Sequence, residues 1–243
     1  MLTKLAVVTG ATGGIGSAIS DALCAAGYGM CLVGRDMAKL QKLREDLAKK
    51  YPHSQVYAQG CDITLEADRV RLINAVRDLG HRLSLWVNNA GINHFGMFTA
   101  QSEAVISQQL DVNAKAPILM THTLLSQVDH SVDMQIINIG STFGTIGYPG
   151  FVAYSASKFA LRGFTEALAR ELADTAIKLR YFAPRATQTA LNSTAVTAMN
   201  NELKVTMDSP LRVATDFMQF LASTADVAYV GFPEKFFARL NQW

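Results

Sequence analysis

Short runs of β-branched and apolar residues alternate along this chain with longer stretches whose apolar positions recur three and four apart. Leu5–Thr9, Gly29–Val33, Gln55–Ala58, Leu83–Val87, Gln135–Ile139 and Lys178–Phe182 read as strands. Gly14–Ala26, Met37–Lys50, Leu65–Leu79, Gln101–Gln127 and Phe151–Ala173 read as helices. The strands are nearly continuous apolar runs, as expected where both sheet faces are covered. Alternation of this kind predicts an α/β fold: a single doubly wound parallel sheet with helices on both faces. Nothing interrupts the pattern, so residues 1–243 are expected to form one domain. The polar, Thr/Asn-rich stretch 185–209 follows a late strand. It is expected to be either a lid over the carboxyl ends of the strands or a surface excursion.

Composition narrows the function classes. The chain has 243 residues, 49% of them hydrophobic and 17% charged, which excludes a disordered chain. It carries 22 basic and 20 acidic residues with no basic stripe, so no nucleic-acid partner is expected. Cys24, Cys31 and Cys61 form no C-x-x-C pair and read as small buried thiols in a reducing compartment, with no metal site. No apolar run reaches the ~18–20 residues of a membrane span. Glycine-rich sequence begins too early for a secretory leader, so a cytoplasmic location is expected.

The first strand runs into Thr9-Gly10-Ala11-Thr12-Gly13-Gly14-Ile15-Gly16 and then a helix. Glycines here permit a tight turn and close approach of backbone to phosphate, and the helix start offers free N–H groups. Any tight strand-to-helix turn also needs glycine, but this one closes the first strand. Gly10, Thr12, Gly13, Gly14, Ile15 and Gly16 are therefore candidate nucleotide contacts. No Gly-Lys-Ser/Thr follows, so a Walker-type loop is excluded. At the end of the second strand, Gly34 leaves room and Arg35 offers a guanidinium fork where an NAD-selecting acid would stand. That favours NADP (NADPH) over NAD. Asp36 reads as the N-cap of the next helix.

Tyr154 and Lys158 lie four apart in a helical stretch, hence on one face. A cation beside a phenol favours phenolate and lowers a pKa that is otherwise near ~10, so the pair can exchange a proton with an alcohol or carbonyl. Tyr-x-x-x-Lys alone is common in ordinary helices. Its company changes the reading.

Thr9–Gly16, Asn88-Asn89-Ala90-Gly91, Asn113, Ser141 and Tyr154–Lys158, in this order and spacing, resemble the short-chain dehydrogenase/reductase family over roughly residues 1–190. Ile137–Ser141 and Gly144 resemble its 3-oxoacyl-carrier-protein reductases. The resemblance implies a Rossmann-like oxidoreductase that moves hydride between a nicotinamide cofactor and a small-molecule carbonyl or alcohol. It gives Tyr154 the proton, Ser141 the substrate oxygen, Lys158 the ribose and the tuning of Tyr154, and Asn113 a proton-relay water. It gives Asp62 and Ile63 the adenine end, Asn89 the ribose, and Pro184, Thr187 and Thr189 the carboxamide end. It also implies a homodimer or homotetramer, paired through the apolar helices Gln101–Gln127 and Phe151–Ala173.

Two departures stand out. Arg185 follows Pro184 where many relatives have glycine, and the C-terminal stretch lacks the Val-Asp-Gly-Gly of carrier-protein reductases. The rival readings are a dedicated 3-oxoacyl-carrier-protein or acyl-CoA reductase and a nucleotide-binding regulator without turnover. Intact Ser141, Tyr154 and Lys158 count against the regulator. A sugar-nucleotide epimerase would need a larger C-terminal domain. His94 reads as exposed. Phe143, Tyr148 and Phe151 read as either pocket or core, and Phe236, Phe237 and Trp243 as packing. Pro117 removes an N–H, so a bend at Asn113 is expected, with the Asn113 carbonyl freed toward Lys158.

Overall fold

The computed structural model describes residues 4–191, 194–202 and 206–231. Its strands are β1 (Lys4–Thr9), β2 (Gly29–Gly34), β3 (Val56–Gly60), β4 (Arg82–Asn88), β5 (Met134–Ile139), β6 (Ile177–Ala183) and β7 (Val227–Tyr229). Its helices are α1 (Gly14–Ala25), α2 (Met37–Lys50), α3 (Glu66–Asp78), α4 (Glu103–Leu110), α5 (Ala116–Leu125), α6 (Val152–Glu171), α7 (Thr194–Glu202) and α8 (Pro210–Ala222). The strands form one sheet in the order β3-β2-β1-β4-β5-β6-β7, every neighbour parallel. The expected doubly wound sheet is therefore present, and the six strands read from the sequence all belong to it.

Alternation within the strands feeds two cores. Ala6 and Val8 face one side with Met30 and Leu32, under Ile19 and Leu23 of α1 and Val213 and Phe217 of α8. Leu5 and Val7 face the other with Cys31 and Trp86, under Leu72 and Ile73 of α3 and Met120 and Leu124 of α5. Asp36 caps α2 as expected, accepting from the Lys39 N–H at 3.1 Å. The three cysteines are free and buried, and burial pushes the Cys31 thiol up to about 12.

Polar groups also sit in this interior. Asn88 and Asn138 are register partners at the ends of β4 and β5. The Asn88 amide donates to Asn138 Oδ1 at 2.8 Å and to Thr121 at 3.2 Å. Its oxygen accepts from Trp86 Nε1 at 2.9 Å, and Asn138 donates to Thr165 at 2.9 Å. The chain is thereby tied from α5 through the sheet to α6.

The helix expected over Gln101–Gln127 is instead two helices, α4 and α5, separated by a π-helical turn at Asp111–Lys115. The Ala116 N–H reaches back five residues to the Asp111 carbonyl. Pro117 sits in the first turn of α5, straight after this turn, and offers no N–H back toward the Asn113 carbonyl, as its sequence position predicts. The interruption is thus a wide turn running into a proline, a feature frequent at functional sites. Beyond β6, α7, α8 and β7 were not read as elements. Ser209 caps α8 by accepting from the Arg212 N–H at 3.2 Å, and Pro210 begins it. No helix of the described residues is long and apolar enough to cross a membrane. Phe236, Phe237 and Trp243 lie outside the described residues.

Candidate active site

In a doubly wound sheet the ligand crevice lies beyond the strand carboxyl ends, where the order reverses. Here β1 has β2 on one side and β4 on the other, and a cleft of about 430 Å³ opens at that point. Every cofactor-side residue named from the sequence lines it: Gly10, Thr12, Gly13, Gly14, Ile15, Gly16, Arg35, Asp62, Ile63, Asn89, Pro184, Thr187 and Thr189. So do Ser141, Tyr154 and Lys158, whereas Asn113 does not.

The glycine turn is built around what a side chain would block. Gly10 has φ +63°, and a Cβ there would lie 2.8 Å from the Ala90 Cα. A Cβ on Gly16 would run into the Gly10 carbonyl and come within 2.7 Å of the Asn89 amide. Gly13 is the N-cap of α1 and no side chain caps the helix, so its first-turn N–H groups face the cleft. Asn89 holds the turn from behind: its Nδ2 donates to the Thr9 carbonyl at 2.8 Å and the Gly10 carbonyl at 3.1 Å. Its part in the site is therefore to shape the turn as well as to line the cleft.

At the far end, exposed Arg35 faces Asp62 across the cleft mouth. Thr64 hydrogen bonds hold the Asp62 carboxyl below its ordinary range, burial opposes them, and Arg35 adds a smaller lowering. The Thr64 hydroxyl and N–H donate to one Asp62 oxygen at 2.6 and 3.0 Å. Buried Arg69 holds the Ile63 carbonyl at 2.9 Å, which fixes the same corner.

Two segments meet at the opposite end. Ser141 follows β5 and caps a short turn, its Oγ accepting from the Phe143 N–H at 3.1 Å. Its hydroxyl neighbours that of Tyr154, closely enough to oppose a rise in the Tyr154 pKa. Tyr154 and Lys158 lie one turn apart on α6. Lys158 is buried, its Nζ donates to the Ile139 carbonyl at 2.9 Å, and desolvation pulls it down to about 8. The expected lowering of the Tyr154 pKa is absent here: burial raises it, and the neighbouring Ser141 hydroxyl only partly opposes that. The reason is placement, because Lys158 Nζ sits 5.7 Å from the tyrosine ring centroid and points to Ile139.

Asn113 lies in the π-helical turn, 1% exposed. Its side chain clamps Ile92: Oδ1 accepts from the Ile92 N–H at 2.8 Å, and Nδ2 donates to the Ile92 carbonyl at 2.8 Å. Gly91 makes room, since a Cβ there would lie 3.2 Å from Asn113 Oδ1 and 3.8 Å from Lys158 Nζ. Its Nδ2 also donates to Ser157 Oγ at 3.2 Å, so Asn113 ties the Ile92 loop to α6 beside Lys158 without itself lining the cleft.

Phe143 and Phe151 line the cleft and stack with Tyr148 and Phe95, with centroids 4.9–5.4 Å apart between Phe143 and Tyr148, Phe143 and Phe151, and Phe95 and Phe151. The pocket and core readings of these rings both hold. His94 is exposed and away from the cleft. Arg185 forms a two-pronged ion pair with Asp208, both contacts 2.8 Å, which joins the ends of the segment between them. Val196 and Met199 of α7 line the cleft and were not anticipated. Only their apolar character at i and i+3 in a polar segment signalled them.

A family model described as short chain dehydrogenase matches residues 4–200. The chain belongs to the short-chain dehydrogenase family. It is 33% identical to an acetoacetyl-CoA reductase of an Acinetobacter species over 233 residues, 93% of this chain and 87% of that protein. It is 32% identical to a 3-oxoacyl-[acyl-carrier-protein] reductase of Aquifex aeolicus over 183 residues, 74% and 73% of the two chains. A short-chain dehydrogenase structure from Sphingobium yanoikuyae in complex with NADPH superposes with TM-score 0.87 at 23% identity, over 98% of this chain and 92% of that one. That likeness concerns the fold.

Proposed function

We propose that this short-chain dehydrogenase is an NADP(H)-dependent oxidoreductase that interconverts a ketone and a secondary alcohol. The observation that carries the reading is the convergence of Ser141, Tyr154 and Lys158, the last two one turn apart on α6, on the same cleft as the uncapped start of α1. The cleft suits a dinucleotide: the side-chain-free Gly10–Gly16 turn and the α1 N–H groups would hold a pyrophosphate. Asp62 and Ile63 would flank the adenine, Arg35 would pair with a 2′-phosphate, and Thr187 and Thr189 would meet the carboxamide. When bound, the nicotinamide supplies or accepts hydride.

The chain's own residues then handle charge and proton. As carbonyl oxygen gains negative charge, the Ser141 and Tyr154 hydroxyls donate to it, and Tyr154 gives up its proton. Lys158 has two ammonium protons beyond the one on Ile139, suited to ribose hydroxyls beside Tyr154. A cation brought to that side favours the phenolate left behind. Asn113 would keep the Ile92 loop in register with α6 through its bonds to Ile92 and Ser157.

The narrower reading, reduction of a 3-oxoacyl thioester, draws support from the acetoacetyl-CoA and 3-oxoacyl-carrier-protein reductases among the relatives. A homo-oligomer also belongs to this proposal. The test is oxidation of NADPH, followed at 340 nm, with neutral ketones and with acetoacetyl-CoA, repeated with NADH. Turnover with NADPH on at least one carbonyl is expected. Silence across the panel, with the coenzyme bound, overturns the reading.

A further inference from the structure

Beneath Ser141 stands a second tyrosine that the proposed reaction does not use. Tyr181, in β6, is 0% exposed. Its phenol oxygen meets both main-chain groups of Ser141: the Ser141 N–H donates to it at 3.3 Å, and the phenol O–H donates to the Ser141 carbonyl at 3.4 Å. A phenol has one proton to give and an oxygen that accepts, so both capacities fall on one residue.

Two glycines make the arrangement possible. A Cβ on Gly140 would occupy the Tyr181 ring, and one on Gly144 would strike its hydroxyl. Neither glycine has a positive φ, so the backbone there does not itself demand glycine. The missing side chains leave space for the phenol. Burial drives the Tyr181 pKa far up, and the Ser141 main-chain hydrogen bond only partly opposes it, so the hydroxyl stays a donor across the working pH range.

Phenylalanine would fill this core position equally well, so packing alone does not account for the hydroxyl. We propose that Tyr181 is a positioning residue: by holding the N–H and carbonyl of Ser141, it aims the Ser141 hydroxyl at the substrate oxygen and at Tyr154. The inference rests on the function proposed above. The aim matters because a donor acts on developing charge only within about 2.7–3.1 Å of it.

The test is Tyr181→Phe in the full chain, read in two ways. The first is steady-state kinetics in wild-type and Ser141→Ala backgrounds. In the wild type, kcat should fall about tenfold with KM for NADPH unchanged, and in Ser141→Ala no further fall should appear. The second is amide hydrogen exchange by NMR, where the Ser141 N–H should exchange at least tenfold faster while the amides of Gly13–Gly16 do not change. Gly140→Ala, which pushes the ring aside, should reproduce both effects. An equal fall in both backgrounds makes Tyr181 a general packing residue and overturns the proposal, as does unchanged exchange at Ser141. If the wild type reduces no carbonyl, the function proposed above fails instead, and the exchange measurement still decides whether Tyr181 holds Ser141.

Discussion

At the Gly10–Gly16 end of the cleft, the groups offered to a ligand are main-chain N–H groups of one continuous turn. At the other end they are side chains of Ser141, Tyr154 and Lys158, brought from two segments and held by further residues. The first end depends on atoms that are absent, since one added methyl meets backbone at Gly10 or Gly16. The second depends on the protonation of buried groups: burial raises Tyr154 and lowers Lys158 to about 8. The turn end should therefore fail by losing affinity, and the side-chain end by losing turnover.

The strongest way to break that comparison is Tyr154→Phe. It should lower kcat by roughly 10²–10⁴-fold while NADPH binding, measured by fluorescence titration, stays near wild type. Turnover within a few-fold of wild type would remove Tyr154 from the proton step. Gly16→Ala tests the turn end and should weaken NADPH on the order of a hundredfold, about 2.7 kcal/mol, with a far smaller effect on kcat at saturation. Comparable losses in kcat would erase the contrast between the ends.

Arg35→Ala sharpens the comparison within the cofactor end. A charge-assisted bond is worth about 1.5–3 kcal/mol, so the preference for NADPH over NADH should shrink roughly ten- to a hundredfold. Equal wild-type affinities for the two cofactors, from the same titration, would contradict the role given to Arg35.

The smallest expected effect is on stability. Lys158 falls from 10.5 to about 8 on burial, so at neutral pH the folded chain holds a costly cation. At ~1.36 kcal/mol per pH unit the ceiling is roughly 3 kcal/mol, and about 1–2 kcal/mol is expected after the Ile139 bond is allowed for. A depressed pKa carries its penalty below the folded value and sheds it as pH rises toward the unfolded value. Lys158→Met should thus stabilise the ligand-free protein below pH 8 and lose that advantage between about pH 8 and 10.5, while abolishing turnover. Thermal melts across that range check the sign.

How far the sequence revealed these ends follows from the same difference. A turn made by glycine spacing is local, so Gly10–Gly16 and the Asp36 cap were legible directly. Strands covered on both faces were legible as apolar runs. Tyr154 and Lys158 share a helix and were legible as a pair, but Ser141 and Asn113 needed the family resemblance, because their partners Tyr181 and Ile92 are set by tertiary contacts. The π-helical turn at Asp111–Lys115 was missed because one inserted residue barely disturbs apolar periodicity. α8 went unread although Ser209-Pro210 is a good helix start, and β7 is three partly exposed residues without a clear pattern. The direction of the Tyr154 shift was misjudged because spacing on a helix does not say where an ammonium points.

The asparagine network between β4 and β5 has a consequence for how the chain finds its fold. Leu85–Val87 and Ile136–Ile137 are interchangeable apolar rungs, and hydrophobicity alone would accept several alignments of the two strands. A slip of one residue between the two strands parts Asn88 from Asn138 and turns the slipped asparagine away from its helix partner, Thr121 for Asn88 or Thr165 for Asn138. Each buried group left this way costs about 1–3 kcal/mol, so the misaligned sheet loses several at once. The amides thus work as a key cut for one alignment, and they hold the central strands of a mostly greasy sheet to a single pairing.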